Sequence, residues 1–244
     1  MSAPSQHRPA SATRHARVLA VTSGKGGVGK TLLSANLACA LTRRGLKVLV
    51  LDADLGLANL DVVLNLPPRI TLHDVLKGGR SLAQAITPAP GGFMVLLAGS
   101  GLVEYSRLTA ELRHNLKQVI DEACEHFDVI LLDTGAGISD VVLYTISLAD
   151  EVLVVATPEP TSLTDAYATI KVLATLQDRK ELMLIVNQVT RPGEGLHIRQ
   201  QLQAVIDRYL GSQLPVPPQM RMLGELPQDP AARDAVRLRQ LVLE

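Results

Sequence analysis

Between residues 18 and 31 the chain reads V-L-A-V-T-S-G-K-G-G-V-G-K-T, an apolar run that breaks into glycines and then a lysine and a threonine. Gly24, Gly29, Lys30 and Thr31 fill the pattern G-x-x-x-x-G-K-[ST], whose chemistry is phosphate capture. Glycines let consecutive backbone N–H groups turn inward on an anion, so Gly24, Lys25, Gly26, Gly27, Val28 and Gly29 read as the cradle, with Leu32 just beyond it. Lys30 supplies a charge to the β- and γ-phosphates, and the Thr31 hydroxyl suits Mg²⁺. A helix opening near Lys30 would add its positive dipole end. The expected ligands are ATP or ADP with Mg²⁺.

Two further stretches end apolar runs in carboxylates. Val48 to Leu51 runs into Asp52-Ala53-Asp54, and side chains two apart at a strand end lie on one face. Such a pair is costly unless a cation or hydrogen-bond donors meet it, which a Mg·ATP site supplies. Val129 to Leu132 ends in Asp133, the Walker B pattern, where an open α/β sheet places its ligand groups. Asp133 is therefore expected to hold Mg²⁺ through water. Asn187 closes a later apolar run; its amide can donate and accept together against an adenine edge, and a turn-forming asparagine explains it equally well.

Positioning these groups requires strands alternating with helices. Helical spacing follows the loop at Leu32, Leu33, Leu37, Ala38, Ala40 and Leu41, stopped by Arg43, Arg44 and Gly45. It recurs from Leu112 to Ala123, after Ser162-Leu-Thr-Asp165, which reads as a capping box, and from Leu196 to Leu210. Strand-like runs are Phe93–Leu97, Val152–Val155, Leu182–Val186 and Gln219–Leu226, while residues 67 to 92 read as connection around a short helical pattern from Thr71 to Lys77. The expected fold is α/β: one three-layer domain, a mostly parallel twisted sheet with helices on both faces, of the P-loop NTPase type. Residues 1–16, with basic but no acidic side chains, read as a disordered arm, and 17–244 as the ATPase domain. The last stretch, Ala231 to Glu244, reads as helical with Arg233, Arg237 and Arg239 exposed.

Composition narrows the functions further. The 244 residues carry 24 basic and 24 acidic side chains, so no global charge argues for nucleic acid, and none is expected as a direct partner. Tryptophan is absent and the only aromatics are Phe93, Phe127, Tyr105, Tyr144, Tyr167 and Tyr209, so base stacking on aromatic platforms is not expected. Cys39 and Cys124 lie in helical patterns and read as buried thiols of a reduced compartment. No apolar run of 18 residues occurs, so the expected location is the cytoplasm.

Lys25, the second lysine of G-K-G-G-V-G-K-T, makes the loop resemble the deviant Walker A loop of the MinD/ParA family of dimerising ATPases. The resemblance covers nearly everything after residue 17. It is strongest to the branch of flagellar-number regulators called FlhG or FleN, through Asp52-Ala-Asp-Leu-Gly-Leu-Ala-Asn-Leu-Asp61, Asp133-Thr-Gly-Ala-Gly-Ile-Ser-Asp140 and Glu159-Pro-Thr-Ser-Leu-Thr-Asp-Ala-Tyr-Ala-Thr-Ile-Lys171. It implies that Lys25 reaches the phosphates bound by a partner subunit, that Asp54 positions the attacking water with Asp52 in a supporting role near the metal, that Thr134–Gly137 opens the second switch, and that Asn187 and the loop holding Pro227 and Asp229 enclose the base. Asp61 stays a helix-capping or surface carboxylate.

The implied activity is weak Mg-dependent ATP hydrolysis that switches a homodimer between partners, namely an FlhF-type GTPase or a FleQ-type transcription regulator, to set flagellar number or placement. Two departures from the family pattern matter. The arm Ser5-Gln-His-Arg-Pro-Ala-Ser-Ala-Thr-Arg14 lacks the D-Q-A-x-x-L-R motif that stimulates the GTPase, and the sequence to Glu244 leaves no room for the amphipathic membrane-targeting helix that closes family members. Contact with a membrane surface or cell pole is expected only with such a helix. Cell-division placement, DNA partitioning, and a metabolic or assembly ATPase of the same fold remain alternatives; an iron–sulfur carrier would want paired cysteines, whereas Cys39 and Cys124 stand far apart.

Overall fold

The computed structural model describes residues 16–56, 58–99 and 107–243. The expected arm lies, apart from Ala16, outside the described residues, as does Tyr105. Eight strands and nine helices are described. In chain order these are β1 (Arg17–Ser23), α1 (Lys30–Thr42), β2 (Val48–Ala53), α2 (Leu60–Leu64), α3 (Leu72–Leu76), α4 (Leu82–Ala85), β3 (Thr87–Pro88), β4 (Met94–Leu96), α5 (Ala110–Cys124), β5 (Val129–Ala136), α6 (Asp140–Ser147), β6 (Glu151–Ala156), α7 (Pro160–Gln177), β7 (Glu181–Val189), α8 (Glu194–Leu210), β8 (Gln219–Pro227) and α9 (Pro230–Leu238).

The strands form one sheet in the order β3-β4-β2-β5-β1-β6-β7-β8, parallel throughout except for the short edge strand β3. Parallel strands covered on both faces need side chains that are apolar on both, which is why β2 reads Val-Leu-Val-Leu. Their alternation splits the core. Leu49, Leu51, Ile130, Leu132, Val152 and Val154 face a layer built from α3 to α8. Val48, Val50, Val95 and Leu131 face α1 and α2. The order β2-β5-β1 brings the carboxyl ends of three strands side by side, and the sequence carries Asp52 and Asp54, Asp133 and the glycine loop at those ends. Ligands of open α/β sheets bind along this edge.

The expected α/β sheet is what is observed, and several elements differ in detail. The leucines expected to form the apolar face of α1 are half-buried, and the fully buried side is the small set Ser34, Ala35, Ala38 and Cys39. Small residues let the helix carrying Lys30 lie close to the sheet. Ser162-Leu-Thr-Asp165 is not a capping box: α7 starts earlier, with Glu159 as its cap and Pro160 at its first position. A proline with its fixed φ is pre-organised for that position, and the Ser162 hydroxyl accepts from the Thr157 N–H at 3.0 Å. The connection from 67 to 92 also contains α4 and β3, and α6, capped by Ser139, fills the stretch after the second glycine cluster.

The chain's last helix stops at Arg239, which takes the left-handed φ of 54°. Leu241 then buries itself against the α1 and α2 layer, and the Leu243 N–H donates to Asn36 Oδ1 at 3.1 Å. Burial of one leucine outweighs continued helix here, which corrects the helical reading of Ala231 to Glu244. Cys39 is buried as expected, whereas Cys124 is only half-buried.

Candidate functional site

In the loop between β1 and α1, two glycines have a neighbour too close for any Cβ. Gly29 has φ 94°, and a Cβ there would stand 2.5 Å from Asn187 Nδ2. A Cβ on Gly24 would lie 2.1 Å from the Asp165 carbonyl oxygen, so the loop rests directly on α7. On the outer side, a Cβ at Gly26 or Gly27 would meet nothing within 4 Å, which leaves the backbone amides open to a ligand. Val28 turns its side chain into a small cluster with Val21, Leu153, Val155 and Met183, and offers the site its main chain.

Lys30 is buried at the first position of α1. Its ammonium donates to Ser23 Oγ at 2.9 Å, and that hydroxyl donates to the Lys25 carbonyl at 2.6 Å. Gly137 N–H donates to the Ser23 carbonyl at 2.9 Å, so Ser23 ties the loop to the glycines that follow Asp133. Burial pulls the Lys30 ammonium below its ordinary pKa, and the charges of Asp133 and Asp54 pull it back up. The ammonium thus sits buried in the field of two carboxylates, with the Ser23 hydroxyl as its hydrogen-bond partner.

The carboxylates converge as the spacing implies. Asp52 and Asp133 are register partners on the adjacent strands β2 and β5. Burial pushes the Asp133 carboxyl up to about 6, against hydroxyls from Thr31 and Ser34 and the charge of Lys30, which all pull it down. Ser34 Oγ donates to Asp133 Oδ1 at 3.0 Å. Asp52 is raised well above the usual carboxylate range, first by burial and then by the charge on Asp133, although the N–H groups of Leu60 and Asp54 donate to it at 3.3 and 3.2 Å. Asp54 is half-buried over Gly135, where a Cβ would stand 3.3 Å from its carboxyl carbon. Asp61 lies in the first turn of α2 and does not cap it.

Among the described residues, no group of three or more His, Cys, Asp or Glu side chains is arranged to hold a metal alone. Mg²⁺ is bound through one or two carboxylates completed by substrate phosphates and water, and the hard oxygen donors Thr31, Asp52 and Asp133 beside an open phosphate cradle fit that mode.

Asn187, Pro227 and Asp229 lie together. With Gly29, Leu32 and Val236 they line a cavity of about 360 Å³. The Asn187 amide is already engaged: Nδ2 donates to the Val28 carbonyl at 2.8 Å, and Oδ1 accepts from the Gln188 N–H at 3.0 Å. One hydrogen and one lone pair remain for a base. Asp229 accepts from the Ala231 N–H at 2.8 Å and so caps α9.

Lys25 goes elsewhere. Its ammonium donates to Glu159 Oε2 at 2.6 Å and to Thr161 Oγ1 at 3.0 Å, at the start of α7. Glu159 and Thr161 carry no spacing signal, since 134 and 136 residues separate them from Lys25, and only the β1–β6 pairing brings them near. Ser23 and Ser34 were also missed. Ser34 had a readable signal, a polar residue three positions after Thr31 and thus on the same helix face.

Comparison with known proteins follows the same line. The pattern of the CobQ/CobB/MinD/ParA nucleotide binding domain matches residues 19–242. The antiactivator FleN of Pseudomonas aeruginosa is 41% identical over 228 residues, covering 93% of this chain and 79% of that protein. The flagellum site-determining protein YlxH of Helicobacter pylori is 35% identical over 228 residues, covering 93% and 74%. The septum site-determining protein MinD of Pyrococcus horikoshii, solved with Mg-ADP, superposes with a TM-score of 0.72 at 30% identity, covering 93% of this chain and 88% of that one. With the glycine loop, the buried lysine and the paired aspartates in place, the chain belongs to the CobQ/CobB/MinD/ParA family of nucleotide-binding proteins.

Proposed function

We propose that the protein is a Mg-dependent ATPase of the MinD/FlhG type, which ATP drives into a homodimer and hydrolysis resets. The observation that carries this is the gathering of Lys30, Asp54 and Asp133 at the carboxyl ends of β1, β2 and β5, around amides open to solvent. The loop amides and Lys30 bind the phosphates. Thr31 and Asp133, with Asp52 beside them, would hold Mg²⁺, whose chemistry is to neutralise charge on the phosphate oxygens. Asp54 orients the attacking water. Asn187, Pro227 and Asp229 enclose the base, Asn187 also bracing the loop through Val28.

The Lys25 ammonium rests on the start of α7, away from Lys30, which supports a role across a two-fold axis. In a symmetric dimer each Lys25 would leave Glu159 and serve the other subunit's nucleotide. The pairing in the monomer is exposed, and exposed pairs are weak, so it is readily exchanged.

The similarity to FleN and YlxH directs the switch toward flagellar number or placement, with an FlhF-type GTPase or a FleQ-type transcription regulator as partner. We place the protein in the cytoplasm, without direct nucleic-acid contact; among the described residues no helix is long and apolar enough to cross a membrane. Asp54→Ala, which spares the binding groups, should accumulate as a dimer with Mg·ATP and stay monomeric with Mg·ADP in sedimentation velocity. A variant that binds ATP yet remains monomeric would reject the switch. Deleting the gene and counting flagella per cell tests the biological reading separately.

A further inference from the structure

We propose that Ser34 is a positioning residue for the Mg²⁺ carboxylate, holding Asp133 through its hydroxyl in the orientation from which it serves the metal. This rests on Asp133 being that carboxylate. Ser34 is fully buried on the side of α1 facing the sheet, where its neighbours are Ala35, Ala38 and Cys39. Packing there asks only for a small residue, and alanine already satisfies it one and four positions on. The hydroxyl is therefore surplus to packing, and its partner in the structure is Asp133 Oδ1, 3.0 Å away.

Thr31, three residues earlier on the same helix face, brings a second hydroxyl close enough to draw the pKa of this carboxylate down. If Thr31 turns to Mg²⁺, Asp133 loses that support. A buried carboxylate left without a hydrogen bond is expensive and free to rotate, and Ser34 is the donor that stays. By holding Oδ1 it leaves Oδ2 as the oxygen that would serve the metal. Metal ligands owe their orientation to such outer partners, whose loss typically weakens metal binding tenfold or more.

The test is calorimetry of ADP binding with and without Mg²⁺, on the wild type, Ser34→Ala, Asp133→Asn and the double variant. Ser34→Ala should keep a cooperative melt, lowered by the loss of one buried hydrogen bond, and bind Mg-free ADP within about twofold, and it should lose about tenfold of the affinity that Mg²⁺ adds. In the Asp133→Asn background it should change nothing further. A full Mg²⁺ gain in Ser34→Ala overturns the proposal, as does an equal loss with and without the metal, which would mark a purely structural serine. If Asp133→Asn itself keeps the Mg²⁺ gain, the reading of Asp133 falls and the role of Ser34 with it; if Asp133→Asn loses the gain and Ser34→Ala does not, Ser34 alone is wrong. Should Ser34→Ala fail to fold, Ser34→Cys keeps the volume with a much weaker donor, and the same outcomes decide.

Discussion

Asparagine in place of Asp133 should make the protein more stable at neutral and alkaline pH while disabling its metal site. The Asp133 carboxyl is raised from an ordinary 3.8 to about 6 by burial. A gap of roughly two units, at about 1.4 kcal/mol per unit, means that ionising this group in the fold opposes stability by about 3 kcal/mol. The sign follows from the direction of the shift. The native state holds the proton more tightly than the unfolded chain, so the contribution is fully favourable below pH 3.8 and is lost as pH rises through about 6. Asparagine does not titrate, and its amide oxygen can still accept from Ser34. For a domain of this size about 3 kcal/mol corresponds to roughly 6 to 12 °C in Tm. Lys30 trims the upper end, because it loses a favourable charge while keeping that of Asp54. Melting followed by circular dichroism in EDTA from pH 4 to 8.5 reads the effect: Asp133→Asn should melt higher at pH 8, with the gap closing as pH falls through 6. A less stable variant at pH 8, or a gap independent of pH, would refute the reasoning.

Lys30→Ala should retain the fold, since it removes a buried ammonium that desolvation already opposes, and should weaken Mg·ATP binding by about a hundredfold in calorimetry. Unchanged affinity would remove Lys30 from the phosphate site. Glu159→Gln should free Lys25 and tighten ATP-dependent dimerisation. Each exposed pair is worth roughly 0.2–1 kcal/mol and a dimer releases two, so sedimentation of Asp54→Ala backgrounds should show a dimer constant lower by about 2- to 30-fold, and less at high salt. Weaker dimerisation would mean that Glu159 holds Lys25 in the dimer as well.

Much of the fold was legible because parallel strands buried on both faces must be apolar throughout, as Val48–Leu51 and Val129–Leu132 are, and because glycines, lysine and aspartates punctuate their carboxyl ends. What escaped was set by tertiary packing. Leu241 leaves a helical pattern to be buried against α1, Ser162 turns from its own helix to the Thr157 amide, and the short edge β3 owes its strand conformation to β4. In the site, the groups proposed to contact the ligand stood in motifs, while Ser23, Ser34 and Glu159, which hydrogen-bond to three of them, stood outside. Their roles depend on neighbours far along the chain, and Lys25 shows the limit best: the loop pattern marks it, but only the fold reveals that its ammonium rests on α7.

The account turns on Lys25 acting in the other subunit, and mixing two inactive variants tests it most directly. Lys25→Ala lacks the lysine it would lend, and Asp54→Ala lacks the residue that orients water in its own site. In a mixed dimer with Lys25 acting across the axis, one site carries both defects and the other neither. Random mixing at equal concentration should then restore roughly one quarter of wild-type ATPase activity, since half the dimers are mixed and each has one intact site. Were Lys25 to serve its own subunit, every site in the mixture would carry one defect, and activity no higher than that of the separate variants would contradict the account.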